Sequence, residues 1–216
     1  MNTKLQLALD DISMEDALNH LEKVHAFIDI TEIGTPFMMK YGAEAVRAVR
    51  SRYPRMEILL DAKIMDAGAY EAKIGLDAGA DLVTVLAVTD DRTVEEVVRT
   101  AHAFGKKAVA DMICVQDLPK RVERLEELGV DIIAVHTGVD QQAMGRTPLE
   151  DLREISRYAA KAETAVAGGI TPQTAGDYLA YEPAILIVGS GIIHAQDPES
   201  AARELKEIIL RRREMV

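Results

Sequence analysis

Apolar residues concentrate in eight short runs, at 4–9, 27–32, 56–61, 81–86, 107–113, 131–135, 163–167 and 184–188. Each is rich in aliphatic or β-branched residues and too short for a buried helix, so each predicts a strand. The segments between them, 13–24, 36–52, 67–78, 92–104, 117–128, 149–160, 172–180 and 198–213, repeat apolar residues three and four apart. That spacing predicts helices with one stripe turned to a core. Strict alternation of strand and helix makes the strands parallel, because each helix carries the chain back to the end of the sheet from which the last strand began.

Punctuation fixes the phase. GADLV (79–83) and GVDII (129–133) each open with a glycine suited to end a helix and continue with an aspartate that turns the chain into the next strand. Thr171-Pro172 and Asp197-Pro198 each set a capping side chain before a proline at the first helical position. Right-handed crossovers leave an open doubly wound sheet or a closed barrel. Eight units of about 27 residues suit the barrel, and no G-x-G-x-x-G follows the first strand. The expected fold is α/β, a (β/α)8 TIM barrel, with residues 1–216 as one domain.

In such a barrel, chemistry belongs at the carboxyl ends of the strands. Asp10 follows the first run, Glu32 closes the second, Asp61 and Lys63 stand at the third and Asp111 near the fifth. His136 follows the sixth, Gly168-Gly169 the seventh and Gly189-Ser190-Gly191 the eighth. Alternation points Asp61 and Lys63 to the same side, with Glu32 one strand spacing away, roughly 4.8 Å. A structural ion pair accounts for any one of these carboxylates. Together, like charges partly buried at one mouth are costly without a ligand, which favours a site. Two acids from adjacent strands, with no thiolate and no His-x-x-x-His pattern, suit a hard divalent cation such as Mg²⁺ better than zinc.

Lys63 has two readings. A Schiff-base lysine must be neutral to attack a carbonyl, whereas Lys63, flanked by Asp61 and Asp66, is expected to stay an ammonium. An ammonium suits the stabilisation of an enediolate or the donation of a proton. His136, in VHTG, is the only histidine at a predicted strand end and is the candidate for proton exchange; Asp140 either orients it or caps the turn. VAGGI (166–170) and VGSGI (188–192) are ordinary turns taken singly. After the seventh and eighth strands of a barrel they match a phosphate cradle, to which Ser190 adds a hydroxyl.

Composition narrows the partners. Aromatic residues make up 4% of the chain and tryptophan is absent, so the core is built from Ala, Val, Ile and Leu. A net charge of -11 disfavours nucleic acid and anionic lipid, and an anionic substrate then needs a locally built site. Cys114, the single cysteine, cannot form an internal disulfide and is expected to be a small apolar residue; Met38 and Met39 are expected in packing or an interface. No apolar run reaches membrane-spanning length and MNTKLQLALDD does not read as a signal peptide, so a cytoplasmic protein is expected.

LALD (7–10), EIGTP (32–36), DAKIMDAG (61–68), VTVL (83–86), VHTGVDQQA (135–143), VAGGI (166–170) and IVGSGI (187–192) resemble the orotidine monophosphate decarboxylase suprafamily over almost the full length. Within it they look most like the 3-hexulose-6-phosphate synthases. The resemblance implies a homodimer of barrels with shared active sites, dependent on Mg²⁺ or Mn²⁺, that condenses formaldehyde with the sugar phosphate ribulose 5-phosphate. It implies that Glu32 and Asp61 hold the metal, Lys63 stabilises an enediolate, Asp66 reaches into the partner's site and His136 is the acid/base. It also implies that the turns at Gly168, Gly169, Gly189, Ser190 and Gly191 hold phosphate and that Asp10 lines the pocket. The 3-keto-L-gulonate-6-phosphate decarboxylases resemble the chain less, because Thr137, Val139 and Ser190 stand where arginines are expected.

Overall fold

The structure is a computed structural model that describes residues 3–214. Its strands are β1 (Lys4–Leu9), β2 (Ile30–Ile33), β3 (Glu57–Ile64), β4 (Leu82–Leu86), β5 (Lys107–Asp111), β6 (Ile132–His136), β7 (Glu163–Ala167) and β8 (Ile185–Val188). All pairs are parallel and run in chain order, and β8 returns to β1 to close the barrel. Around it lie α1 (Met14–Val24), α2 (Thr35–Tyr41), α3 (Glu44–Arg52), α4 (Gly68–Ala78), α5 (Asp91–Ala103) and α6 (Leu118–Glu127). They are followed by α7 (Val139–Ala143), α8 (Leu149–Tyr158), α9 (Ala175–Leu179), α10 (Ser190–Ile193) and α11 (Pro198–Glu214).

Strand alternation divides the apolar residues between two clusters. Ile30, Leu59, Leu82, Val109, Ile132, Ala165 and Ile185 fill the barrel interior, while Leu5, Leu7, Leu9, Ile58, Leu60, Val83 and Val85 face the helices. With so few aromatic residues, interdigitated aliphatic side chains make a plug rather than a pore. The amino-terminal mouth is capped by two ion pairs, Lys4–Glu57 at 2.5 Å and Lys107–Glu163 at 3.0 Å.

The two aspartates expected to turn the chain, Asp81 and Asp131, do something more specific, and Asp29 does the same. Asp29, Asp81 and Asp131 immediately precede β2, β4 and β6. Each donates its backbone N–H to the carbonyl of a residue in the strand before it, Leu5, Ile58 and Ala108. Each carboxylate accepts the N–H of that same residue, at 2.8, 2.9 and 2.8 Å. Three reciprocal rings therefore tie β1 to β2, β3 to β4 and β5 to β6. At the fourth pair, Ala184 donates to the Thr164 carbonyl, but its methyl group returns nothing.

Some boundaries differ from expectation. The helix expected over 36–52 breaks at Gly42, where a φ of +58° separates α2 from α3. Thr171 folds a turn instead of capping a helix: its N–H donates to Thr174 Oγ1, and α9 starts only at Ala175. Asp197 caps α11 as expected, accepting from the Ser200 N–H at 3.1 Å. The short α7 and α10 have too few residues to show a period. Among the described residues no helix is long and apolar enough to cross a membrane.

One irregularity shapes everything at the carboxyl mouth. Leu60 pairs with Val83 but Ile64 pairs with Val85, so residues 61–63 of β3 face the single residue Thr84 of β4. This bulge is where Asp61 and Lys63 sit.

Candidate active site

Asp61 and Lys63 were expected on one side by simple alternation; they do meet, but through the bulge. Lys63 adopts a φ of +46°, a conformation that side chains with a Cβ rarely take. Its Nζ then donates to Asp61 Oδ2 at 2.6 Å and to Asp111 Oδ2 at 3.0 Å. Asp111 Oδ2 also pairs with His136 Nδ1 at 2.9 Å, and its Oδ1 accepts the Ile113 N–H at 2.9 Å. Three strands thus bring an ammonium and an imidazole onto one carboxylate.

The electrostatics follow from this contact. Burial opposes ionisation of Asp111, but His136, Lys63 and the Ile113 N–H outweigh it and hold the carboxyl down at about 2. Burial alone would push the Lys63 ammonium down; Asp61 and Asp111 reverse that and hold its pKa well above the ordinary lysine value. The amine is therefore poorly suited to Schiff-base chemistry at neutral pH. Asp66, expected beside it, is exposed, and its carboxylate accepts the Ala67 N–H instead. Asp140 is likewise exposed, and the carboxylate that orients His136 is Asp111.

Glu32 and Asp10 stand on the other side of Asp61. Glu32 is 8% exposed, and its Oε2 accepts from Gln6 Nε2 at 2.6 Å. Burial first, then Asp61 and Asp10, push its carboxyl up to about 8. Asp10 is raised too, by burial and then by Asp61. Lys63, the nearby cation, is already held by Asp61 and Asp111. The donor set therefore crowds together more buried carboxyls than the one lysine can balance, and all of it is hard oxygen. Among the described residues no three His, Cys, Asp or Glu side chains form a ready cage. Two carboxylates of this kind suit a Mg²⁺- or Mn²⁺-type ion, which usually takes its remaining ligands from water and substrate oxygens.

Neutral groups that sequence reasoning passed over hold these acids. Thr35, the first residue of α2, donates to Asp61 Oδ2 at 2.8 Å, and Thr84 donates to Asp61 Oδ1 at 2.8 Å. Gly34 lets Asp10 approach, since a Cβ there would lie 2.1 Å from Asp10 Oδ1. The EIGTP motif carried that signal, in a glycine and a threonine just past a strand end. The two glycine turns have local reasons for their composition: a Cβ on Gly168 would lie 2.7 Å from the Thr137 carbonyl oxygen, and one on Gly191 would lie 2.3 Å from that of Ile170. Gly189 and Ser190 begin α10 beside Asp10, and Gly169 lies against Gln142 of α7.

A surface cavity of about 640 Å³ lies apart from this cluster, between the β4–α5 and β5–α6 turns, and takes in none of the charged residues above. Cys114 lines it and is exposed, contrary to its expected place as an apolar filler.

A family profile described as "Orotidine 5'-phosphate decarboxylase / HUMPS family" matches residues 3–205. The chain belongs to that family. Within the family, 3-hexulose-6-phosphate synthase 2 of Staphylococcus saprophyticus is 45% identical over 206 residues, covering 95% of this chain and 97% of the relative. A 3-hexulose-6-phosphate synthase of Staphylococcus aureus is 43% identical, covering 95% and 98%. The crystal structure of 3-hexulose-6-phosphate synthase from Salmonella typhimurium matches with a TM-score of 0.96 at 50% identity, covering 97% of this chain and 100% of that one. The 3-keto-L-gulonate-6-phosphate decarboxylase of Vibrio cholerae shares the family fold, with a TM-score of 0.86 at 24% identity.

Proposed function

We propose that the chain catalyses the reversible aldol condensation of formaldehyde with D-ribulose 5-phosphate to D-arabino-hex-3-ulose 6-phosphate. Read in reverse this is a carbon–carbon lyase, an aldehyde-lyase, acting in the cytoplasm. The observation that carries the reading is the Lys63 ammonium, held by Asp61 and Asp111 between the buried acid Glu32 and the imidazole of His136. The identity to synthases, at 43 to 50%, supports it.

Glu32 and Asp61 would hold Mg²⁺ or Mn²⁺, which when bound supplies positive charge against the negative charge that develops on the substrate. Asp111 is ionised and can only accept, so His136 Nδ1 carries the proton of that contact and Nε2 is left to the substrate. His136 takes a proton from C1 of ribulose 5-phosphate, and Lys63 stabilises the resulting enediolate. C1 then attacks the formaldehyde carbon, and the protonated His136 returns its proton to the aldehyde oxygen. All atoms of both substrates remain in the product.

Asp10 would line the sugar pocket, and the turns at Gly168, Gly169, Gly189, Ser190 and Gly191 would hold the phosphate. Asp66 would extend into the site of a second copy in a homodimer. Exposed apolar side chains nearby support that reading: Met39 on α2, Met65 in the β3–α4 turn, and Tyr70 and Ile74 on α4.

The test mixes the protein with Mg²⁺, ribulose 5-phosphate and formaldehyde and follows aldehyde loss with and without EDTA. Loss that depends on both sugar phosphate and metal is expected; aldehyde that persists with folded, metal-replete protein overturns the assignment.

A further inference from the structure

We infer that Thr84 is a positioning residue, whose hydroxyl sets both the Asp61 carboxylate and the Lys63 main chain for the reaction proposed above, on which the inference rests. The bulge in β3 leaves the Lys63 N–H without a ladder partner, because three residues of β3 face one of β4. Thr84 Oγ1 accepts that N–H at 2.9 Å and donates its own O–H to Asp61 Oδ1 at 2.8 Å. A hydroxyl has one proton, so the direction of this relay is fixed once both bonds form.

The other oxygen of the same carboxylate takes the Lys63 ammonium at 2.6 Å. A closed ring results: Lys63 reaches Asp61 directly through its side chain and through Thr84 by its main chain. Nothing else about the position calls for a hydroxyl. Val83 and Val85 flank it on the same strand, it is 5% exposed, and β-branched Val would fill the same volume. The ring explains how a lysine at a φ of +46° keeps one orientation in a buried site.

Thr84→Val keeps the shape and removes the ring; Thr84→Ser keeps the hydroxyl. In metal-free protein, hydrogen exchange of a peptide spanning residues 61–64 should lose protection in Thr84→Val and retain it in Thr84→Ser. Mn²⁺ affinity, read by electron paramagnetic resonance, should weaken by roughly tenfold in Thr84→Val, and kcat at saturating metal should fall by about 10- to 100-fold. KM for ribulose 5-phosphate should change little, and Thr84→Ser should restore most of the kcat. Should Thr84→Val not fold, Thr84→Ala is measured in the same way with the same expectation. A lowered melting temperature with unchanged kcat and unchanged protection of the 61–64 peptide would mean packing alone and overturn the inference. Wild-type protein that consumes no formaldehyde defeats the functional reading instead, and the exchange measurement still judges whether Thr84 holds Lys63.

Discussion

The two mouths of the barrel are built from the same strands, yet they treat charge in opposite ways. At the amino-terminal mouth Lys4 faces Glu57 and Lys107 faces Glu163, so each acid has its own base and all four side chains are partly exposed. At the carboxyl mouth Asp10, Glu32, Asp61 and Asp111 share Lys63 and His136, and Glu32, Asp61 and Asp111 are buried. The first arrangement neutralises charge locally and needs nothing else. The second keeps Glu32 protonated up to about pH 8 and raises Asp10. An unbalanced cluster of acids is a poor way to stabilise a fold and a good way to receive a cation.

Removing the ammonium should break the contrast most severely. Lys63→Ala is expected to lower kcat by about 10²- to 10³-fold, measured by aldehyde consumption at saturating metal, because charge stabilisation is lost where it develops. Glu32→Gln comes next: Mn²⁺ affinity should fall by at least about tenfold, as calorimetry can measure.

The same substitution tests the origin of the imbalance. The folded pKa of Glu32 lies above its unfolded value, so its contribution to stability is full below the unfolded value of 4.5 and is lost as pH rises towards about 8. Metal-free wild-type protein should therefore melt at a lower temperature at pH 8.5 than at pH 5, and Glu32→Gln should flatten that fall. Equal pH dependence in the two proteins would show that Glu32 is not the group responsible.

Smaller effects belong to the balanced side of the molecule. Asp81→Ala removes an acceptor shared by the Ile58 N–H, Arg50 and Lys106, and chemical denaturation should show a loss of about 2 kcal/mol. Glu57→Gln, at the exposed pair with Lys4, should cost about 0–1 kcal/mol and leave kcat unchanged.

Most of the fold was readable because eight aliphatic runs and their helical intervals repeat a simple period, and strand ends mark the mouth without further information. That is why Asp10, Glu32, Asp61, Lys63 and His136 could be placed. Asp111 was visible at a strand end, but its role was not, because it depends on β3, β5 and β6 meeting around the barrel. Asp66 and Asp140 were given neighbours by nearness in sequence, whereas both are exposed, Asp66 accepts the Ala67 N–H and His136 pairs with Asp111. Gln6 and Thr84 carry no charge and sit in unremarkable aliphatic contexts, so nothing in composition or period singles them out, and Thr35 was marked only by the EIGTP motif. The bulge in β3 was also hidden, since the apolar run ends at 61 and plain alternation carries on to Lys63 without a break.

The reciprocal rings made by Asp29, Asp81 and Asp131 divide the barrel into clasped pairs of strands, and the last pair lacks its clasp because Ala184 stands in the aspartate's place. The seam between β7 and β8 therefore relies on main-chain ladder alone at its base. Those same two strands carry the glycine turns at their tops. Of the four alternate seams it is the one whose opening breaks no side-chain bond, so the strands carrying the glycine turns are tied to each other less firmly than the strands carrying Glu32, Asp61, Lys63, Asp111 and His136 are tied within their own pairs.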